Sequence, residues 1–133
     1  MRWGATFLGT ALVMLFFDGA WLTLAAHRLY RAKLGDMLAN EFRAGPALIF
    51  YLVYVLGIVV LAVAPAVSAE RWTIALARGL VLGLVAYGTY DLTNQATLRH
   101  WSTLIAVVDM SWGTFLTGAA ATAGYFVGRW AGG

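Results

Sequence analysis

The stretch from Pro46 to Ser68, PALIFYLVYVLGIVVLAVAPAVS, decides the fold class because it contains no charged residue. A helix needs about 20 residues to cross a hydrocarbon core of roughly 30 Å, and this stretch reaches that length. An uncharged run of this length is typical of a membrane-spanning helix. The sequence therefore predicts a span over residues 46–68.

The composition of the whole chain agrees with a membrane protein. Of its 133 residues, 62% are hydrophobic and 11% are charged, whereas a soluble domain has about 25% charged residues. Six acidic and nine basic residues cannot cover a soluble surface, which excludes a soluble enzyme and a disordered segment. The net charge of +3 suits contact with anionic lipid headgroups. The sequence has no stripe of basic residues, so it does not predict a nucleic-acid partner. The absence of cysteine excludes disulfides and thiolate metal sites.

Three more apolar stretches have the length of a span. Short connections after the second and third stretches require neighbouring helices to run antiparallel. Arg78 lies inside its stretch near one end, where its side chain is expected to extend to the headgroups. We predict an all-α fold, an integral membrane four-helix bundle in a single domain over residues 1–133, with spans at about 6–26, 46–68, 73–98 and 104–127.

The segment from His27 to Gly45 is the only sizeable polar part of the chain. Its apolar residues recur every four positions, which places them on one face of a helix: Tyr30, Leu34, Leu38 and Phe42. We predict a short interfacial amphipathic helix between helices one and two, ended by Gly45 and Pro46. A solvated loop is the alternative.

Tryptophans and glycines mark the ends and the contacts of the predicted helices. An indole at a helix end buries its ring and keeps its N–H in water, so an aromatic belt is predicted from Trp3, Trp72, Trp101 and Trp130. Small residues let helix backbones approach closely, so helix contacts are predicted at Gly9, Gly19, Gly79, Gly83, Gly113, Gly118 and Gly124.

Three aspartates interrupt the apolar spans at one depth. Asp18 lies eight residues before Ala26, Asp91 eight before Arg99, and Asp109 eight after Trp101. At about 1.5 Å per residue, all three carboxyls lie roughly 12 Å from the same face. Charge inside a span is costly, so each such residue is a functional candidate. Because three acids with no intramembrane base repel one another when ionised, we expect at least one to hold a proton near neutrality.

Polar and aromatic side chains share that depth on all four helices. Trp21 and Trp112 each follow an aspartate by three residues, and one stripe of helix three carries Tyr87, Asp91 and Asn94. We predict a pocket open toward the first and third connections. Its candidate catalytic residues are Asp18, Asp91 and Asp109, and its candidate substrate-binding residues are Asn94, Tyr51, Tyr54, Tyr87, Trp21 and Trp112.

Two other interpretations of these residues stay open. A protonated aspartate can serve only the structure, through hydrogen bonds across helices that are worth about 0.6 to 2 kcal/mol in membranes. His27 and His100 lie near the mouth of the pocket, but no ligand spacing supports a metal site. We expect no metal and no cofactor.

The chain resembles the bacterial membrane-protein family catalogued as domain of unknown function 2177. The resemblance covers residues 16–117 and rests on the runs FDGAWL (17–22), FYLVYVLG (50–57), YGTYDLTNQATL (87–98) and VDMSWG (108–113). It implies a small four-span protein of the bacterial cytoplasmic membrane. Members often occur beside genes for fatty-acyl modification, such as cyclopropane fatty-acid synthase-like methyltransferases and flavin oxidases. The family supplies no established catalytic residues.

Three functions fit these observations. The first is an intramembrane site that binds or modifies a lipid or another hydrophobic molecule. There, Asp91 and Asp109 are the acid/base candidates and Asp18 a third acid or orienting group, and the chemistry is proton transfer, isomerisation or hydrolysis. The second is a proton- or cation-coupled transporter acting as a homo-oligomer. The third is an accessory or scaffold subunit of a lipid-modifying enzyme. Expected partners are membrane lipids, a second copy of the chain, or that enzyme.

Overall fold

The computed structural model describes residues 2–21, 23–24 and 44–132. Four helices in this part of the chain are long and apolar enough to cross a membrane, and we call them the first to fourth spans: Arg2–Trp21, Ala44–Ala69, Trp72–Thr97 and Thr103–Gly132. The predicted all-α membrane bundle of four helices is confirmed. The predicted interfacial helix lies outside the described residues, except that Ala44 and Gly45 already belong to the second span.

The outer spans extend beyond their predicted ends. The first span begins at Arg2 rather than at residue 6, and the fourth continues to Gly132 rather than ending at 127. Arg2 and Arg129 lie near these ends, where their charges can reach the headgroups. The Nε atom of Arg2 also donates to the carbonyl of Gly128 over 3.2 Å. This bond joins the start of the first span to the end of the fourth, so the two helices run antiparallel.

The second span changes its helical geometry near its end. It is α-helical over Ala44–Ile58, π-helical over Val59–Val63, and α-helical again over Ala64–Ala69. Pro65 follows the π-helical segment, and a proline has no N–H to donate to the carbonyl four residues earlier, which here is Leu61. A tight turn then begins the third span, with Glu70 in the left-handed region at φ 56°.

The third and fourth spans approach closely because small residues face each other. A Cβ atom added at Gly79 would lie 2.9 Å from the Cα atom of Gly118, and one added at Gly83 would meet the carbonyl oxygen of Gly113. Gly113 in turn lies beneath the ring of Tyr87. These contacts fix the height and rotation of the third span against the fourth.

The first span packs on the fourth through buried threonines and further glycines. Thr6 and Thr10 are fully buried. A Cβ atom added at Gly128 would clash with the hydroxyl oxygen of Thr6, and one added at Gly124 would clash with that of Thr10. The contact predicted at Gly19 is wrong for the described part of the chain, where no atom lies within 4 Å of a Cβ atom added there. Gly19 is exposed because it lies on the outer side of the first span.

The outer surface of the bundle is apolar. Leu12, Phe16 and Val53 are 64%, 71% and 65% exposed, while smaller apolar side chains such as Ala62 and Ala120 are fully buried. A water-soluble monomer rarely exposes so continuous an apolar surface. The arrangement suits helices that contact one another through small residues and contact lipid through large ones.

Candidate functional site

A cavity of about 390 Å³ opens near one end of the bundle, between all four spans. Both aspartates of the outer spans line it, and five of the eight lining side chains are aromatic. The lining residues are Asp18, Trp21, Phe50, Ala86, Tyr87, Tyr90, Asp109 and Trp112. This volume falls within the range of about 300 to 1,000 Å³ that small-molecule sites have. The cavity is therefore mainly apolar and has two carboxyls on its wall.

Asp18 is held on the cavity wall by an indole of the fourth span. The Nε1 atom of Trp112 donates to the Oδ1 atom of Asp18 over 3.3 Å. The rings of Trp112 and Trp21 stack with their centroids 4.7 Å apart and an interplanar angle of 11°. The two tryptophans that the sequence places three residues after aspartates thus form one wall. The buried Nε1 atom of Trp21 has no hydrogen-bond acceptor among the described residues.

Asp109 interacts with both of the other aspartates. Its carboxyl interacts electrostatically with the carboxyl of Asp18 and with that of Asp91. Asp91 is fully buried and Asp109 is 9% exposed, so Asp109 meets the cavity and Asp91 lies behind it. The structure therefore brings together the three aspartates that the sequence placed at one depth.

The surroundings of Asp91 are unusual for a buried carboxyl. No described side chain or backbone group makes a hydrogen bond of normal geometry to either of its oxygens. The indole of Trp101 lies beside it, and the buried Nε1 atom of that indole also has no acceptor among the described residues. A donor and an acceptor therefore lie next to each other at this point without a hydrogen bond of normal geometry between them.

Trp101 departs from the predicted aromatic belt. It is half-buried, and its ring packs edge-on against Tyr90 with the centroids 5.4 Å apart. The other three belt tryptophans are exposed at helix ends, as expected: Trp3, Trp72 and Trp130. The short connection after the third span turns Trp101 back toward Asp91. The sequence reasoning missed this because a tryptophan at a helix end normally faces the interface.

Tyr54, Tyr51 and Asn94 share the depth of the cavity but do not line it. The hydroxyl of Tyr54 shares a hydrogen bond of 2.7 Å with the hydroxyl of Thr117, and its ring stacks behind Phe50 at 5.1 Å. Tyr51 is half-buried, with its ring edge-on to Phe50 at 5.9 Å. Asn94 is half-buried near the end of the third span. Counting residues gives the depth of a side chain along a helix but not its direction around the helix axis. The rotation of the second span places Phe50, rather than Tyr51 or Tyr54, on the cavity wall.

Three lining residues were missed by the sequence reasoning. Phe50, Ala86 and Tyr90 all lie within four residues of a predicted site residue. Phe50 lies four residues before Tyr54 on the same helical face, and Tyr90 lies three residues after Tyr87. The helical spacing of three and four residues is the signal that finds both.

Comparison with known protein families identifies the chain. A family model described as predicted membrane protein (DUF2177) matches residues 3–126. The chain belongs to the DUF2177 family. No curated protein matches this DUF2177 chain, and no solved structure matches it.

The site of this DUF2177 protein offers carboxyl chemistry next to an apolar space. Two carboxyls on the wall and a third behind them can hold and pass protons, while the aromatic rings can pack against an apolar ligand. Among the described residues, no group of three His, Cys, Asp or Glu side chains is arranged to hold a metal ion. His100 is exposed, and His27 lies outside the described residues.

Proposed function

We propose that this DUF2177 protein binds a lipid or another hydrophobic molecule in its intramembrane cavity and modifies it by acid/base chemistry. One observation carries the proposal: the carboxyls of Asp18 and Asp109 lie on the wall of a cavity that is otherwise mainly aromatic. Aromatic walls favour an apolar ligand, and the carboxyls favour a polar reacting group at one point on it. The pathway that we infer is fatty-acyl modification.

The three aspartates have different roles in this proposal. Asp109 meets the ligand and transfers a proton to or from it, because it lines the cavity. Asp91 exchanges that proton with Asp109 from behind, since it is fully buried. Repulsion between adjacent carboxylates in a medium of low dielectric favours a pair of which only one member is ionised. Asp18 is held by Trp112 and orients the polar part of the ligand.

The reaction class follows from the groups on the wall. Carboxyls supply and accept protons, which suits proton transfer, isomerisation or hydrolysis. The carboxyls of Asp18 and Asp109 can meet a carbonyl or hydroxyl group of the ligand, and the ring of Trp21 lines the same cavity. Such a ligand has an acyl or similar apolar body with one oxygen-bearing group near the carboxyls.

Lipid analysis of cells tests the proposal. Cells carrying the wild-type gene, Asp109→Asn or an empty vector are compared by mass spectrometry of their acyl chains. We expect the acyl-chain profile of wild-type cells to differ from that of empty-vector cells. The profile of Asp109→Asn cells is expected to match that of the empty vector. Glu70→Gln is the matched control, because Glu70 is an exposed carboxylate near the opposite end of the bundle.

A cavity-filling variant separates ligand access from carboxyl chemistry. Ala86→Trp places an indole in the cavity without changing any carboxyl, and we expect it to abolish the lipid difference as well. An Asp109→Asn protein that is present at normal levels and still gives the wild-type profile would contradict the proposal. So would a wild-type gene that leaves the acyl chains unchanged.

Transport of a proton or an organic cation is the second candidate. The stacked indoles of Trp21 and Trp112 beside the carboxyl of Asp18 favour it, because a cation is attracted to both aromatic faces and carboxylates. Four short helices enclose little space, so this function requires a second copy of the chain. Proteoliposomes loaded with a pH-sensitive dye are expected to show tetraethylammonium-dependent proton flux that Asp18→Asn abolishes. Absence of that flux in the wild type argues against transport.

A further inference from the structure

A second depression lies on the lipid-facing side of the bundle, between the second and third spans. It is an open groove of about 390 Å³ and shares no lining residue with the cavity. Its walls are apolar apart from one guanidinium, and its lining residues are Leu61, Ala77, Arg78, Val81, Leu82 and Val85. A cation in a groove that faces hydrocarbon requires an explanation.

One bond holds Arg78 in the groove. Its guanidinium donates to the carbonyl oxygen of Leu61 over 3.2 Å. That carbonyl lies four residues before Pro65, so it lacks the N–H that would bond to it in a regular α-helix. The π-helical segment Val59–Val63 surrounds the same position. The side chain is thus attached to the second span.

The charge of Arg78 is not neutralised within the described part of the chain. A guanidinium has five N–H donors, and the bond to Leu61 uses one nitrogen. None of the described carboxylates forms an ion pair with it. Glu70, the acidic residue in the turn between these two spans, pairs instead with Arg129 over 2.8 Å. A cation left uncompensated at membrane depth is costly, which favours an anion from outside the chain.

The depth of Arg78 suits the phosphate of a lipid. It lies six residues after Trp72, the first residue of the third span, or about 9 Å along the helix. The third span has 26 residues, a length of about 39 Å against a hydrocarbon core of roughly 30 Å. When the third span is centred on the hydrocarbon core, Arg78 lies a few ångströms below the edge of that core, within reach of a phosphate at the edge.

The apolar walls of the groove run from Arg78 toward the middle of the bilayer. Val81 and Val85 are 62% and 59% exposed, and Leu82 is half-buried beside them. These residues extend the groove by about 10 Å beyond Arg78 along the helix. An acyl chain that continues inward from a phosphate at Arg78 would follow this wall.

We infer that the groove is a binding site for an anionic phospholipid. The guanidinium of Arg78 binds the phosphate, for which its planar donors are well suited, and Val81, Leu82 and Val85 pack against one acyl chain. The bond to Leu61 positions the guanidinium and completes the helix where Pro65 interrupts it. The site is independent of the cavity and of the chemistry proposed there.

Native mass spectrometry of the purified protein tests this inference. The protein is equilibrated in micelles with equal amounts of phosphatidylglycerol and phosphatidylcholine, and the retained lipids are counted. We expect a preference for phosphatidylglycerol of about fivefold, the contribution of one arginine near a membrane surface. Arg78→Gln is expected to remove the preference, because the amide keeps a donor for Leu61 but carries no charge.

Two further variants control for loss of the fold and for nonspecific effects of charge. Arg71→Gln removes an exposed charge in the neighbouring turn and is expected to keep the preference. Val81→Trp fills the apolar wall, leaves Arg78 in place, and is expected to lower retention of phosphatidylglycerol. The inference is overturned when the wild type has no preference, when Arg78→Gln keeps the preference, when Val81→Trp retains as much phosphatidylglycerol as the wild type, or when inorganic phosphate alone displaces the lipid.

Discussion

The two ends of the bundle differ in how they bury polar groups. We call the end that contains Asp18, Asp91 and Asp109 the cavity half, and the end that contains Thr6, Thr10 and Gly79 the packed half. In the packed half, the hydroxyls of Thr6 and Thr10 donate to helix carbonyls over 2.7 and 2.8 Å. In the cavity half, Asp91 has no normal hydrogen bond to any described residue. The buried hydroxyls of the packed half are thus satisfied and support its stability, whereas the unsatisfied carboxyl agrees with the binding role that we propose for the cavity half.

Adding a methyl group at a glycine contact of the packed half is expected to have the largest effect on the free energy of unfolding. Gly79→Ala places a Cβ atom 2.9 Å from the Cα atom of Gly118, and we expect the free energy of unfolding to fall by about 2 kcal/mol. Thermal unfolding in micelles measures this. Gly19→Ala is the matched control, since its added Cβ atom meets none of the described residues within 4 Å. Equal melting temperatures for the two variants would contradict the account of the packed half.

Removing the buried carboxyl of the cavity half is expected to separate stability from function. Asp91→Leu replaces a carboxyl that has no normal hydrogen bond in the described structure, so we expect the free energy of unfolding to rise by about 1 kcal/mol. The same variant is expected to lose the lipid phenotype. Thermal unfolding and lipid analysis of one preparation check both effects. A large loss of stability would show that Asp91 serves the structure.

The hydroxyls of Tyr54 and Thr117 form a hydrogen bond between the second and fourth spans. Tyr54→Phe removes the hydroxyl that bonds to Thr117 at 2.7 Å, and we expect a loss of about 1 kcal/mol in the free energy of unfolding. Thr117→Val removes the other hydroxyl. In a double-mutant cycle the two losses should not add, because both variants break the same bond. Strict additivity would exclude this bond.

The smallest expected change concerns the wall of the cavity. Trp112→Phe keeps an aromatic ring but removes the N–H that bonds to Asp18 at 3.3 Å. We expect the free energy of unfolding to fall by about 0.6 kcal/mol and the lipid phenotype to weaken. Trp3→Phe, at the exposed start of the first span, is the control for both measurements. An unchanged phenotype for Trp112→Phe would remove the orienting role of Asp18.

The fold was largely predictable because each span is longer and more apolar than a soluble helix requires. Counting residues along the helices also predicted that the aspartates share one depth, and the structure brings Asp18, Asp91 and Asp109 together. The rotation of each helix about its own axis was harder to predict from the sequence. It depends on contacts such as that of Tyr87 with Gly113, which connect residues far apart in the sequence.

Two features depended on backbone detail that residue counting does not capture. The turn after the third span directs Trp101 toward Asp91 instead of toward the interface. The bond from Arg78 to Leu61 depends on a carbonyl for which Pro65 has no N–H to donate, so it joins two helices across a local irregularity. In both cases a residue typical of a helix end has contacts that only the three-dimensional arrangement shows.

The electron density inside the cavity tests the central claim most directly. Crystals grown from a lipidic phase would show what lies between Trp21, Phe50 and the carboxyl of Asp109. The account predicts a continuous, elongated density along the aromatic wall, with its polar end within hydrogen-bonding distance of Asp109. A cavity that holds only separate water-sized peaks, in both the wild type and Asp109→Asn, would contradict it.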